Sequence, residues 1–312
     1  MPQQNKIIYQ NAANIIIDKR VLKSGLQKAI RQCQPEQAMR IAKSFLEVDA
    51  KDCLRRLPVI TLEDVMLHPD MDRLMDLYRQ SGRKSFAPSD EDKNFVLRFV
   101  WQLASTEWRD NFWKNNPDGS EIPDIERLTE KQQALSRAVD YRASAGGLPE
   151  DPPMMRWQLR AWQNRWTHCG MDVSDLFQFF PEAPTINWND VSYAEVKDIP
   201  LNAYDFHVLG GAYNRLIAQK QYVKDAISET YPDKSVQFVV MNLVWRYWVA
   251  VNHKKQITHG RTIDWFLDDG EKNAFPESER ESMNMLWQII KDDVQSLSEW
   301  VRDKKVVRNG AR

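Results

Sequence analysis

Apolar residues recur at spacings of three and four along most of the chain, a pattern typical of helices with one buried face. The pattern is clearest over Leu22–Val65, where it divides into three short helices. Pro35 suits the first turn of the second helix, and Asp49 is the expected N-cap of the third. Pro58 is expected to interrupt that third helix. Because none of these helices can bury its apolar face alone, they are predicted to stack as antiparallel neighbours.

Similar stripes predict helices further along the chain. They cover residues 68–81, 90–113, 129–142, 154–168, 172–180, 204–218, 258–267 and 276–303. The segment Lys234–Val251 is nearly apolar on every side, and its length favours a buried central helix over a strand. Ile15–Ile17 is compatible with a short strand or with the edge of a helix. The predicted fold class is therefore all-α, an irregular multi-helix bundle of stacked helix hairpins, with strand below about a tenth of the residues.

Composition supports the helical prediction and leaves the number of domains open. Only 11 of the 312 residues are glycine, which disfavours turn-rich β folds and glycine-rich nucleotide loops. A chain of this length forms one large domain or two smaller ones. The segment 145–153, rich in glycine and proline, is the predicted linker between an N-terminal helical region, 1–144, and a C-terminal one, 154–312. The alternative is a loop at 145–153 inside a single domain.

Part of Leu22–Val65 carries a family resemblance. Ser24–Arg31, Ala38–Leu46 and Leu54–Val65 together resemble the helical C-terminal region of clamp-loader-like AAA+ ATPases of the WRN-interacting type. In that family the region follows the ATPase module and serves oligomerisation, so the resemblance implies self-association through residues 22–65. The chain has no GxxxxGK[ST] phosphate loop, so ATPase activity is not implied and no cofactor is expected. Three core-forming helices of an unrelated protein would show the same pattern.

The charge balance excludes a globally basic nucleic-acid binder but allows a local basic face. The chain carries 43 Lys and Arg against 44 Asp and Glu, for a net charge of −1. Three cysteines without a CxxC pair suit a reducing compartment. The N-terminus lacks the basic and apolar regions of a signal peptide, and no window approaches the run of about 18 apolar residues that spans a membrane. We therefore expect a cytoplasmic protein without membrane partners.

The strongest nucleic-acid candidates lie on the predicted helix 154–168. Its apolar stripe comprises Met155, Leu159, Trp162 and Trp166. Arg156, Arg160 and Arg165 lie off that stripe, and so does Trp157. Exposed arginine and tryptophan suit single-stranded nucleic acid, because the indole ring stacks on bases while the guanidinium groups bind phosphate. The alternative is that these arginines only pair with carboxylates on a solvated surface.

Two further groups of basic residues extend this hypothesis. His259 and Arg261 precede a predicted helix, whose free backbone N–H groups would bind phosphate. An ordinary capped turn would use the same two residues. Lys304, Lys305 and Arg308 follow the last long helix, whose C-terminal end favours cations. This basic tail is expected to be frayed.

No catalytic constellation or metal site emerges from the sequence. Asp205 and His207 are two residues apart and therefore do not share a helix face. The chain has no HExxH motif and no Gly-x-Ser-x-Gly nucleophile elbow. An enzyme that brings Asp205, His207 and His259 together is accordingly the least favoured class of function.

Two other functions compete. The preferred one is a non-enzymatic helical accessory protein in DNA transactions, which binds nucleic acid or a replication or recombination complex. The alternative is a helical adaptor or assembly protein that acts by protein–protein interaction only. A contiguous positive face on the folded protein would favour the first of these.

Overall fold

The computed structural model describes residues 15–110, 125–147, 149, 151–204, 208, 212–250, 255–257 and 275–308, and the structural statements below concern those residues. This part of the chain is mostly helical, with four short strands, which confirms the predicted all-α class. The chain divides into two compact units. The central unit comprises residues 29–194 and 254–260, and the terminal unit comprises residues 1–28, 195–253 and 261–312.

Long helices form the central unit. They are the end of α1 (Lys19–Arg31), then α2 (Pro35–Asp64), α3 (Met71–Gln80), α4 (Asp90–Ser105), α5 (Glu130–Ser144) and α6 (Asp151–His168). Helix α2 packs mainly against α4, and α5 packs against both α6 and α3. A short strand, β2 (Trp108–Arg109), pairs in parallel with β3 (Gln256–Ile257). The segment after α6 forms 3-10 turns at Val173–Phe179 and Trp188–Asp190.

Helix α2 contains a kink where the sequence predicts a helix start. Asp49 has an extended backbone inside the helix, with φ −160° and ψ 82°. Its carboxylate accepts a hydrogen bond from the backbone N–H of Asp52 at 2.9 Å. This is the geometry of an N-cap residue, which satisfies one of the unpaired N–H groups of a first helical turn. The division of this stretch into two helical segments at Asp49 is therefore confirmed.

The expectation that Pro58 interrupts the helix is wrong, because α2 continues to Asp64. A proline inside a helix costs about 3 kcal/mol through its missing N–H group and its ring. Leu57, Val59 and Ile60 are fully buried around it. Each such side chain contributes about 1.5–3 kcal/mol through burial, so packing outweighs the local cost.

Helix α4 begins as predicted but ends earlier. Ser89 and Asp92 form a capping box, in which the Ser89 hydroxyl accepts from the Asp92 N–H and the Asp92 carboxylate accepts from the Ser89 N–H. The predicted end of this helix is residue 113, whereas the helix ends at Ser105. Thr106 turns to an extended backbone and its hydroxyl donates to the carbonyl of Phe179 at 2.5 Å. This contact is distant in sequence, so helical periodicity does not reveal it.

Helices α5 and α6 lie on either side of the segment 145–153. The structure begins α6 at Asp151, and the two helices pack against each other inside the central unit. Gly146 has a left-handed backbone with φ +79°, and its carbonyl accepts from the Arg142 guanidinium at 2.6 Å. The segment thus connects two packed helices of one unit, and the divisions between units lie near residues 28, 194, 253 and 260.

The terminal unit surrounds a second apolar core. Its helices are α7 (Ala212–Leu216), α8 (Gln221–Thr230), α9 (Val236–Val244) and α10 (Arg280–Lys305). Helix α9 continues as a π-helical turn, Trp245–Ala250, and its Val239, Val240 and Leu243 are fully buried, which confirms the predicted central helix. Helix α8 is not among the predicted helices. Its buried residues, Val223 and Ile227, form a single pair four positions apart, which is too short to give a clear apolar stripe. The predicted helix 258–267 lies outside the described residues.

The basic tail does not fray where it follows α10. Val306–Arg308 forms strand β4, which pairs antiparallel with β1, Ile15–Ile17. The pairing corrects the predicted frayed tail for these three residues and selects the strand alternative for Ile15–Ile17. Backbone hydrogen bonds to Ile15–Ile17, near the other end of the chain, hold Val306–Arg308 in this strand.

No helix of the described chain has both the length and the apolar character that a bilayer crossing needs.

Candidate nucleic-acid groove

The central unit carries an open groove between α5 and α6. The side-chain contacts show that the two helices run antiparallel. Gln163 donates to the Ser136 hydroxyl at 3.1 Å, and Arg156 donates to the Asp140 carboxylate at 3.4 Å and to the Ser144 hydroxyl at 3.3 Å. Residues later in α5 therefore face residues earlier in α6. This antiparallel pair brings the polar faces of both helices to one surface.

The cavity between these faces, here called the α5–α6 groove, has a volume of about 560 Å³. It is lined by Ile125, Ser136, Arg137, Asp140, Pro153, Arg156, Trp157, Leu159, Arg160 and Gln163. A smaller depression of about 250 Å³ shares Ile125, Ser136 and Arg137 with it. The two together give an elongated surface along α5.

The lining of the groove is positively charged. Arg137, Arg156 and Arg160 are exposed, and Asp140 is the acidic residue among the lining side chains. Arg156 contacts Asp140, while within the described chain neither Arg137 nor Arg160 forms an ion pair. Guanidinium groups offer planar, bidentate donors that match phosphate and carboxylate. The groove therefore presents more positive charge than its own residues neutralise.

Trp157 supplies an aromatic surface in the same groove. It is 36% exposed, whereas Trp162 and Trp166 of the same helix are buried and contact each other with ring centroids 6.2 Å apart. The buried set is the apolar stripe expected from the sequence, together with Met155 and Leu159. The prediction that Trp157 lies off this stripe is confirmed. An exposed indole beside arginines is the combination that binds unstacked bases.

Arg165 lies elsewhere, which corrects its grouping with Arg156 and Arg160. Only 3% of the residue is exposed. Its guanidinium donates to the Asp110 carboxylate at 2.9 Å and stacks over the Trp162 ring at 4.3 Å. Because Asp110 is 55 positions away in sequence, helical spacing alone does not disclose this partner. Arg165 is part of a buried ion pair and is not available to phosphate.

Arg137 lines the groove although the sequence pattern does not single it out. Ser136, Arg137, Asp140 and Ser144 share one face of α5, opposite its buried Leu135 and Val139. Helical spacing predicts that these residues share a polar face, but it does not predict which neighbouring helix packs beside that face. The polar face of α5 could therefore be found from the sequence, whereas the groove between α5 and α6 could not.

The other predicted binding residues lie wholly or partly outside the described part of the chain. His259 and Arg261 lie outside the described residues, as do Asp205 and His207. Lys304 and Lys305 end α10, and Arg308 lies in β4; their side chains are outside the description.

The interior of the central unit holds further charged groups. Arg31 donates to the buried carboxylate of Asp64 and to Glu63 at 3.1 Å. Burial raises the pKa of Asp64 above its ordinary value, and the Arg31 charge opposes that shift. Burial also lowers the pKa of Arg109 to about 10, although the Asp64 charge acts in the opposite direction. Arg31 thus pairs with Asp64 and Glu63 inside the fold, and the Asp64 charge also acts on Arg109. Pairing is the usual arrangement for buried charge.

In the described part of the chain, no three metal-ligating side chains converge on one point. Comparisons with protein-family models, with curated proteins and with solved structures found nothing that matches the chain. The geometry and charge of the α5–α6 groove are therefore the features of the molecule that point to a function.

Proposed function

We propose that the protein binds single-stranded nucleic acid in the α5–α6 groove and acts as a non-enzymatic accessory protein in DNA transactions. The observation that supports this is the convergence of Arg137, Arg156, Arg160 and the exposed Trp157 on one open groove. Arginines contributed by two different helices meet there, which a solvated single helix face would not achieve.

The chemistry of the groove favours a single strand over a duplex. Guanidinium groups bind the phosphate backbone regardless of sequence. The Trp157 indole can stack only on a base whose face is not covered by a neighbouring base, as in an unpaired single strand. Each base–aromatic stack contributes about 1–3 kcal/mol and tolerates any base. We therefore expect binding that depends little on sequence and favours single strands.

Fluorescence anisotropy with labelled single- and double-stranded DNA at about 50 mM salt tests the proposal, since phosphate contacts weaken steeply as salt rises. Replacing Arg137, Arg156 and Arg160 together with alanine should weaken single-strand binding on every sequence. It should also flatten the dependence of log K on log salt by about 2, because each phosphate contact contributes about 0.7. Trp157→Ala should cost about 1–3 kcal/mol.

A matched control removes the same charge elsewhere in the central unit. Lys51, Arg83 and Lys84 are exposed and do not line the groove. Their triple alanine variant should retain most of the binding and of the salt slope. Equal losses in the two triple variants would mean that only net charge matters. No binding of wild type at micromolar concentration would refute the proposal.

The adaptor alternative has an observation of its own. Met285, Ile289 and Trp300 are exposed and lie on one face of α10, away from its buried stripe. Exposed apolar groups on one face are typical of protein–protein contact. If nucleic acid does not bind, this face becomes the better candidate for function, and Ile289→Glu with Trp300→Glu should then abolish a partner interaction.

The clamp-loader resemblance points toward replication complexes and stays a hypothesis, as does self-association through residues 22–65. Across this fully described stretch, only Glu36, Glu47 and Lys51 are exposed. A subunit interface built from it would therefore have little apolar surface to bury. Sedimentation equilibrium over a range of protein concentrations tests the self-association.

A further inference from the structure

Cys33 occupies an unusual backbone position at the end of α1. The N–H of Gln34 donates to the Ala29 carbonyl and the N–H of Cys33 donates to the Ile30 carbonyl, which is the Schellman pattern of a helix C-terminus. This pattern places one residue in the left-handed region, usually glycine. Here that residue is Cys33, with φ +54°. The left-handed backbone holds the cysteine side chain in a defined direction.

That direction leads to the buried amine of Lys255. Lys255 is 4% exposed, and its Nζ donates to the carbonyls of Leu103 and Thr106 at the end of α4, at 2.8 and 2.5 Å. The same Nζ lies 3.7 Å from the Cys33 Sγ. The Sγ in turn lies 3.7 Å from the Thr106 carbonyl oxygen. A sulfur atom and a primary amine are thus held in contact by the ends of two helices.

We infer that Cys33 and Lys255 form a redox-sensitive pair, in which peroxide drives the formation of a covalent bond between Sγ and Nζ. Hydrogen peroxide oxidises the Cys33 thiol to a sulfenic acid and is itself reduced to water. A sulfenic acid condenses with a backbone nitrogen to give a sulfenamide, and at this site the Lys255 amine takes the place of that nitrogen. The neutral Lys255 amine attacks the sulfur, an S–N bond forms, and the S–O bond breaks. The leaving hydroxide takes a proton from nitrogen as a second water.

The surroundings favour the amine for this reaction. Burial lowers the pKa of Lys255 to about 8, although the neighbouring Cys33 and the Asp64 charge act in the opposite direction. A useful fraction of the amine is therefore neutral near neutral pH, which an ordinary lysine does not offer. Cys33 is only half-buried, and the reaction requires that hydrogen peroxide, a small oxidant, reaches its sulfur.

The bond would leave a signature on denaturing gels, because it joins residues 222 positions apart. Cys53 and Cys169 are replaced by Ala and Ser so that no disulfide can form within the chain. Peroxide should then convert the full-length protein to a faster-migrating band under non-reducing conditions. Dithiothreitol should restore the original band, since a thiol attacks the sulfur and releases the amine. Cys33→Ser and Lys255→Arg should each prevent the shift.

Mass spectrometry of the peroxide-treated wild type identifies the bond directly. A peptide containing Cys33 should appear linked to one containing Lys255, at the sum of their masses less two hydrogen atoms. Cys33→Gly provides a variant that suits the left-handed backbone and so keeps the fold, and it should show no linked peptide. Sulfenic acid trapped by dimedone at exposed Cys169 shows that the oxidant acted. Oxidised Cys33 without a link to Lys255, or unreacted Cys33 beside fully trapped Cys169, would overturn the inference.

Discussion

His68 should make the stability of the central unit sensitive to mild acid. The imidazole is fully buried between the rings of Phe99 and Phe180, with centroids 4.2 and 4.5 Å away. Its Nδ1 accepts a hydrogen bond from the backbone N–H of Asp70 at 3.0 Å, so the folded state needs the neutral ring. Burial lowers the pKa of His68 from 6.5 to about 3.

The sign of the effect follows from this lowered pKa. Between pH 6.5 and about 3 the unfolded chain binds a proton at His68 and the folded chain does not. Stability is therefore fully present above pH 6.5 and is lost as the pH falls toward the folded pKa. Each pH unit in this window costs about 1.4 kcal/mol, so the step from pH 6.5 to 5 should remove about 2 kcal/mol.

Urea denaturation at several pH values measures this loss. His68→Asn keeps an acceptor for the Asp70 N–H and removes the titrating ring, so it should be less stable at pH 7.5 because it loses both ring contacts. Its further loss between pH 6.5 and 5 should be smaller than that of wild type by about 2 kcal/mol. The exposed His168→Asn is the matched control and should follow wild type. Parallel pH profiles for wild type and His68→Asn would refute the reasoning.

Two further substitutions test the interior of the central unit. Asp110→Ala leaves the Arg165 guanidinium buried without the Asp110 carboxylate, which should lower the free energy of unfolding in urea by about 3–5 kcal/mol. DNA binding by the folded protein should be unchanged. If Arg165 instead acted at the surface, the substitution would alter DNA binding and leave stability unchanged. Asp49→Ala removes the N-cap at the kink of α2 and should cost about 1 kcal/mol in the same assay, whereas no loss would show that the Asp52 N–H finds another acceptor.

Local signals along the chain were sufficient for most of the helices. Ser89 and Thr129 begin α4 and α5 with capping boxes, and the cap residues are adjacent in sequence to the helices they start. The buried stripe of α10 includes Met283, Leu286, Ile290 and Val294, as its spacing predicts. Caps and stripes depend on neighbours within one or two turns, so sequence contains the whole of this information.

Contacts between residues distant in sequence decided where some helices end and where a helix continues through a proline. Helix α4 stops where Thr106 bonds to Phe179, and α2 passes through Pro58 because its neighbours are buried by other helices. Propensity for one residue is worth at most a few kcal/mol, and the burial of several side chains exceeds it. No local pattern indicates how much surface a segment will bury.

The candidate groove shows the same division. The sequence alone determined that the chain is helical and that Arg156, Trp157 and Arg160 lie off the apolar stripe of α6, because helical spacing assigns each residue to a face. Only the tertiary structure decided that Arg137 joins them from α5 and that Arg165 turns inward to Asp110. Which faces meet is determined by the packing of whole helices, where contacts join residues tens of positions apart.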